Sequence, residues 1–459
     1  MDETAVASES KHRKLNEEQD MDAVAYNIND LPEAILEHIL SFVPLKDAVG
    51  TCILSKKWRY LWTSHRNLAL LEWPFSRREH FTNFVDRIII LRGSARIGRL
   101  ILSCDVLGDA SRVNSWVSAS VKCKVEECFV DLSDIQGDFV LPNCLFTCAT
   151  LTHMALSIPW ALTLPSRIRL PNLKVLHLVS ITFVEERSTE LLLSSPVLEE
   201  LNIEECAWDN LKTLTIRAPM LKFLTIRDED FDYSSIDPYS CRVSIYGNNL
   251  ESIHCMSPFL NDYRVENTGS LLKAHVSVTD CLPSRFKQLA NRLCKLLKAM
   301  CSVKKLKLSS TTVNVLSSAD GLYWHLPVFP NLKSLEVGCL DLKRPVLFKL
   351  LHNSLHLEKL EFGEGIKLPQ NNEEDDSILD PAPQCFASHL RKIKLFDLCL
   401  CEKKVCMLEL LLKHAMVLEK FMICTRWLPS EQGDKEMFCK RLLEIFCGSK
   451  NLEISFSDP

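Results

Sequence analysis

The sequence predicts an α/β protein: a small all-α module at the front, then a long, irregular, horseshoe-like solenoid of parallel strands closed by an α/β cap. Three observations carry that reading. Between Leu31 and Trp62 the apolar residues fall at helical spacing, enough for three short helices in about forty residues. From Ile97 onward the pattern L-x-x-L-x-L recurs thirteen times, from Ile97-x-x-Leu100-x-Leu102 to Leu418-x-x-Phe421-x-Ile423. The last three positions of each match alternate as a half-buried strand does, and turns or helical stretches separate the matches. One strand and its return cannot bury their own apolar side, so neighbouring units must stack.

The module comes first. Leu31, Ile35, Leu36, Ile39, Leu40 and Val43 give a first helix more than one apolar face. Asp30 can cap it, Pro32 sits where a missing N–H costs nothing, and Val43-Pro44 ends it. A second helix fits Lys46 to Ile53, and Ser55 can cap a third that carries Trp58, Leu61 and Trp62 at i, i+3 and i+4. So short a trio has too little area for a self-sufficient core and shows more apolar surface than it can bury internally. It needs a partner.

Leu31-Pro32, Ile35-Leu36, Ile39-Leu40, Pro44-Leu45-Lys46, Leu54-Ser55, Trp58-Arg59 and Leu61-Trp62, in that order, resemble the F-box over about Ile28 to Leu70. The resemblance implies docking onto the Skp-type adaptor of cullin–RING ubiquitin ligases. The residues it places at that contact are Leu31, Pro32, Ile35, Leu36, Ile39, Leu40, Leu45 and Trp58. Charging Leu36 and Leu40 as aspartates is then expected to abolish adaptor capture with the repeats still folded.

Residues 1–26 are polar and aperiodic and read as a disordered tail, in which Lys11-His12-Arg13-Lys14 is solvated surface or an import patch. The helical module takes 27–70. Asn67 to Leu70 reads as a strand and Phe81 to Leu91 as a helix. The thirteen matches step by roughly twenty to the mid-thirties, around the leucine-rich-repeat period, so 71–366 reads as a leucine-rich-repeat solenoid. Thr189 to Leu193, Ser284 to Met300 and Val346 to Leu351 are helical returns. Three residues past each strand such repeats carry Asn or Cys. Cys206 fits and Thr279 and Thr311 can serve, but Ile181 and Leu340 cannot, so curvature should be irregular. Leu211-x-x-Leu214-x-Ile216 comes only ten residues before the next match and marks a truncated or doubled unit. Residues 367–384, acidic and proline-rich, read as a linker.

Beyond the linker, 385–459 alternates strand and helix. Ser388-His389-Leu390, Lys392-Ile393, Leu418-Glu419-Lys420 and Ile454-Ser455-Phe456 resemble the FBD domain that ends many plant F-box/leucine-rich-repeat proteins. The glycine turn usual in that family is replaced by Leu398 to Glu402.

Composition narrows the function. The 459 residues are 47% apolar with a net charge of −5 and interspersed signs, which supports neither generic nucleic-acid binding nor anionic-membrane binding. No apolar run approaches the length of a membrane span. Twenty cysteines without framework spacing suit a reduced intracellular protein, in nucleus, cytoplasm or both. Cys399, Cys401 and Cys406 lack the paired spacing of a zinc site. No nucleophile elbow and no phosphate loop is present. Catalytic residues, metal ligands and cofactors are therefore not expected.

Binding remains. The outward positions inside the repeats, His177, Asn202, Thr215, Thr225, His254, His275, Lys307, Glu336 and Glu361, are expected on a concave face that holds a target protein, His177, Asn202, Thr225, His254, Lys307 and Glu336 foremost. Trp160, Trp208 and Trp324 are either anchors beside that face or plugs of the solenoid edge. Two functions fit: a substrate-recognition subunit of an SCF-type ubiquitin ligase, or an adaptor-bound scaffold or nuclear interaction protein that delivers nothing for degradation.

Overall fold

The computed structural model describes residues 28–137, 139–228, 241–279, 281–318, 321–341, 344–367, 382–396, 404, 408–409, 411–424, 440 and 453–457. The charged tail with Lys11 to Lys14, the acidic stretch from Glu373 to Asp376, the Cys399/Cys401/Cys406 cluster, four residues of the helix expected at 405–414 and all but residue 440 of that expected at 435–446 lie outside them.

The module opens with a 3-10 turn at Ile28–Asp30, then α1 (Glu33–Leu40). Pro32 rather than Asp30 is the N-cap of α1, and it makes no side-chain capping bond. α2 (Leu45–Gly50) runs on into a 3-10 turn at Thr51–Ile53. The third helix, Trp58–Ser64, is 3-10 throughout and starts without a side-chain cap. The expected cap, Ser55, turns its hydroxyl to Asn29 Oδ1 instead (3.2 Å).

The solenoid follows: β1 (Asn67–Leu71), α3 (Arg78–Arg92), β2 (Arg99–Leu107), α4 (Ala110–Lys122), β3 (Glu127–Ile135), β4 (His153–Ser157) and β5 (Ala161–Leu162). Next come β6 (Val175–Val179), β7 (Thr182–Phe183), α5 (Glu186–Leu193), β8 (Glu200–Glu204), β9 (Thr213–Ile216), β10 (Phe223–Arg227) and β11 (Arg242–Tyr246). β12 (Ser252–Ser257), β13 (Asp262–Glu266), β14 (Lys273–Val278), α6 (Phe286–Ala299), β15 (Lys305–Leu308), α7 (Ser310–Ser318) and β16 (Ser334–Val337) continue it. The last are α8 (Pro345–His352), β17 (Lys359–Phe362), α9 (Gln384–Ser388), β18 (Lys392–Phe396), β19 (Lys420–Cys424) and β20 (Glu453–Ser457).

One parallel sheet of 15 strands runs through the described residues in the order β1-β2-β3-β4-β6-β8-β10-β12-β14-β15-β16-β17-β18-β19-β20. Each of the thirteen repeat matches is one of its strands, and the apolar pair of each faces one side, as Leu176/Leu178 and Leu306/Leu308 do, fully buried. At about 1.5–3 kcal/mol per buried aliphatic side chain, these ladders are the main term holding the stack together. β18, β19 and β20 extend the same sheet rather than opening a new one, so the C-terminal region is continuous with the solenoid.

The buried side is covered by α3 to α9 and by a second parallel sheet, β9-β11-β13. That sheet corrects the reading of Leu211-x-x-Leu214-x-Ile216: it is neither a truncated nor a doubled unit but a strand of the covering layer. Cys206 does occupy its bend as expected, its thiol reaching the Leu178 carbonyl (3.6 Å). In the later bend it is Thr312, not Thr311, that serves: it accepts from Val278 N–H (2.9 Å) and donates to Val276 O (3.2 Å). Ile181 and Leu340 fill their bends as buried hydrophobes.

Candidate functional site

Two surfaces have the character of binding sites. The first is the outer side of α1. Leu31, Ile35 and Ile39 stand four residues apart, a single stripe, and are 36%, 47% and 36% exposed. Pro32 is exposed beside them. Leu36 and Leu40 face the opposite way, into the core formed with Leu45, Ala48, Trp58, Leu61 and Trp62. This corrects four of the eight expected contact residues. Leu36, Leu40, Leu45 and Trp58 are buried within their own chain and cannot reach a partner while the module is folded.

The motif Ser55-Lys-x-Trp has a local task that explains it. Trp58 Nε1 donates to Asn29 Oδ1 (2.8 Å), and Lys57 Nζ donates to the carbonyls of Asn29 (2.8 Å) and Leu31 (2.6 Å). Those bonds fix the start of α1 and so aim its outer stripe. Phe42 (77% exposed), Ile53 (86%), Leu54 and Tyr60 enlarge the apolar surface and were missed. The signal was present: Ile53-Leu54 is an apolar pair ending so short a helix that only one side can face in.

His65 ties the module to the sheet. Its Nε2 meets the Val43 carbonyl (3.1 Å), its Nδ1 accepts from Asn67 N–H (3.2 Å), and its own carbonyl accepts from the buried Arg92 guanidinium. Burial lowers the pKa of Arg92, and no carboxylate pairs with it among the described residues.

The second surface is the open face of the large sheet. The register places Ala155, His177, Asn202, Thr225, His254, His275, Lys307, Glu336 and Glu361 in one file across neighbouring strands. All six residues expected foremost at the target contact therefore share one line, as do His275 and Glu361. Thr215 does not: it lies on β9 in the covering sheet.

Chemistry changes along the file. Asn202 Nδ2 donates to His177 Nε2 (2.6 Å) and to Glu200 Oε1 (2.8 Å), a closed polar cluster. Further on, the rings of His254 and His275 stack at 4.2 Å and 20°. Partial burial, then the charges of Arg227 and Lys307, lower the pKa of His254. Burial, His254, Lys307 and Arg227 hold His275 down at about 4, so the stack is neutral at pH 7. It borders a shallow depression of about 350 Å³ that Lys273, Lys305, Lys307, Glu336 and Glu361 also line. Lys307 pairs with Glu336 at 2.6 Å.

Of the tryptophans set beside the array, Trp208 is buried against Phe183, while Trp324 is exposed under the Lys349 ammonium. Burial pushes the thiols of Cys104, Cys128, Cys206 and Cys241 up to about 12, so they stay protonated and are poor nucleophiles or ligands.

Residues 28–70 match the F-box domain, and residues 113–241 match the LRR repeats described for FBD-associated F-box protein At5g56370. The chain is 31% identical to F-box/LRR-repeat protein At4g14096 of Arabidopsis thaliana, over 73% of its own length and 72% of the relative's. It is 27% identical to F-box/FBD/LRR-repeat protein At5g56420 of the same plant, over 94% and 98% of the two chains. F-box/LRR-repeat protein 13, also from Arabidopsis thaliana, is 27% identical over 91% and 93%.

Proposed function

We propose that this chain, which belongs to the F-box/leucine-rich-repeat protein family, is the substrate-recognition subunit of an SCF-type ubiquitin ligase acting in the nucleus or cytoplasm. F-box domains generally bind Skp-type adaptors of cullin–RING ligases, and residues 28–70 match that domain. One observation carries the reading. Leu31, Ile35, Ile39, Phe42 and Ile53 stay exposed on the helical module, although its Leu36, Leu40 and Trp58 are sealed in a core. A surface of this kind is completed by another polypeptide. The open face of the sheet then holds a target so that one of its lysines meets ubiquitin carried elsewhere in the assembly. The chain contributes proximity and no covalent step.

The test charges the outer stripe. Ile35→Asp with Ile39→Asp should abolish adaptor pull-down at unchanged circular dichroism and melting temperature. Leu36→Asp with Leu40→Asp should instead unfold the module, because those side chains are core. A folded outer-stripe variant that still captures the adaptor would overturn the proposal. Delivery for degradation is read separately: a protein that accumulates when the chain is deleted supports it. Cullin co-purification without any such accumulation would point to the non-degradative scaffold.

A further inference from the structure

The open face is not electrically uniform. At the first strand position, Lys273, Lys305, Ser334, Lys359, Lys392 and Lys420 follow one another on adjacent strands. The next outward file adds Lys307 and Lys394. Seven lysines thus share β14 to β19 with two outward glutamates, Glu336 and Glu361. On β2 to β8 the same two files hold Arg99, Glu127 and Glu200 with Asn202, histidines and apolar residues. A net charge of −5 over the whole chain conceals this half.

The patch is also poorly neutralised from within. Lys307, Lys359 and Lys420 pair with Glu336, Glu361 and Glu453. Lys273, Lys305 and Lys392 make no ion pair among the described residues, and neither does Lys304, exposed at the foot of β15. Lys273 stands directly opposite Lys305, and Lys392 sits between Lys359 and Lys420. Like charges placed opposite each other destabilise a sheet, so the array is held against its own repulsion. An anion laid across it relieves that repulsion.

We infer that β14 to β19 form a binding site for an acidic polypeptide segment, lying across the strands with its carboxylates or phosphates on Lys273, Lys305 and Lys392. This deepens the target-holding role proposed above and rests on it. Strands about 4.8 Å apart bring β14 to β18, four of them lysine-bearing, under roughly six residues of extended peptide. Nucleic acid suits the surface less well. Its bases would need aromatic platforms, and of the rings on these outward positions His275 is already stacked on His254 and Phe396 is covered by the Lys394 ammonium at 4.3 Å. Glu336 and Glu361 would meet a continuous phosphate backbone, whereas a peptide can set uncharged residues opposite them.

The experiment uses the full chain with its adaptor. Fluorescence anisotropy follows four labelled probes: a twelve-residue Asp/Glu-rich peptide, a phosphoserine peptide of equal charge, a neutral Asn/Gln counterpart and a twelve-nucleotide DNA strand. Both anionic peptides should bind, more weakly as salt rises, and the neutral one should not. Lys273→Glu with Lys305→Glu should weaken binding by about tenfold or more, and Lys392→Glu alone by less. Lys122→Glu, exposed at the end of α4 on the covering side, should change nothing. A phosphoserine preference would assign phosphorylated targets, and equal affinity plain acidic ones. Unchanged affinity in the folded double variant, equal loss in Lys122→Glu, or tighter binding of DNA than of either peptide would overturn the inference. Adaptor pull-down on the same variants keeps the two proposals apart, because α1 is untouched.

Discussion

Asp228 shows how a single buried group sets a pH dependence. It follows β10 directly and is 5% exposed between the two sheets, where the Tyr263 hydroxyl donates to its Oδ2 (3.5 Å). Its Oδ1 has no hydrogen-bond partner among the described residues, and burial pushes the carboxyl up to about 7. In the unfolded chain the group ionises near the ordinary value of about 3.9. Between those values the folded state binds the extra proton, so the contribution to stability falls as pH rises from about 4 to 7 and is level above. Asp228→Asn should therefore stabilise the protein at pH 8, by about 4 kcal/mol at most, and the gain should vanish near pH 4. Melting temperatures of both proteins at the two pH values check this. A gain that is equal at both would mean that ionisation is not its source. Nothing in the sequence announced Asp228: an acid after a strand reads as a loop acid, and its burial comes from a covering sheet formed by distant residues.

At the scale of elements, α1 shows what periodicity can and cannot tell. Apolar positions on more than one face identify a helix shared between two neighbours. They do not say which neighbour is the chain itself. Leu31, Ile35 and Ile39 could be separated from Leu36 and Leu40 only once α2 and the Trp58–Ser64 turn were packed on one side. Two glycines test the surrounding elements. Gly50 ends α2 with nothing within 4 Å of where a Cβ would stand, so Gly50→Ala should stabilise the module by about 0.5–1 kcal/mol. Gly338 follows β16, and a Cβ there would collide with the Ser310 backbone at the start of α7. Gly338→Ala should cost about 1–3 kcal/mol, because backbone must move. Urea midpoints of the two variants should shift in opposite directions.

At the scale of the molecule, the 15 strands of the main sheet were legible one by one, from the Asn67 strand through the thirteen repeat matches to the strand at Ile454. A pattern repeated in one phase survives variable loops. The covering sheet was not legible, since β9, β11 and β13 alternate like any other strand and pattern alone does not say which sheet a strand joins. The bond from the Arg92 guanidinium to the His65 carbonyl joins module to solenoid. Arg92→Ala should lower hydrogen-exchange protection of Trp58–Ser64 by about tenfold, leaving a buried carbonyl unpaired at about 1–3 kcal/mol. Protection in β6 and β8 should not change, and an equal loss there would mean global rather than local loosening.

The strand order also fixes a distance. With β1 beside the helical module and β14 to β19 occupying the ninth to fourteenth places, the lysine-rich stretch begins about 40 Å along the sheet and ends about 60 Å along it. A target held there as proposed hangs at a set arm's length from α1. Adding or removing whole repeats between the two would slide the cargo in increments of about 5 Å. On the proposed function, repeat number is a ruler for which lysine of the cargo is presented.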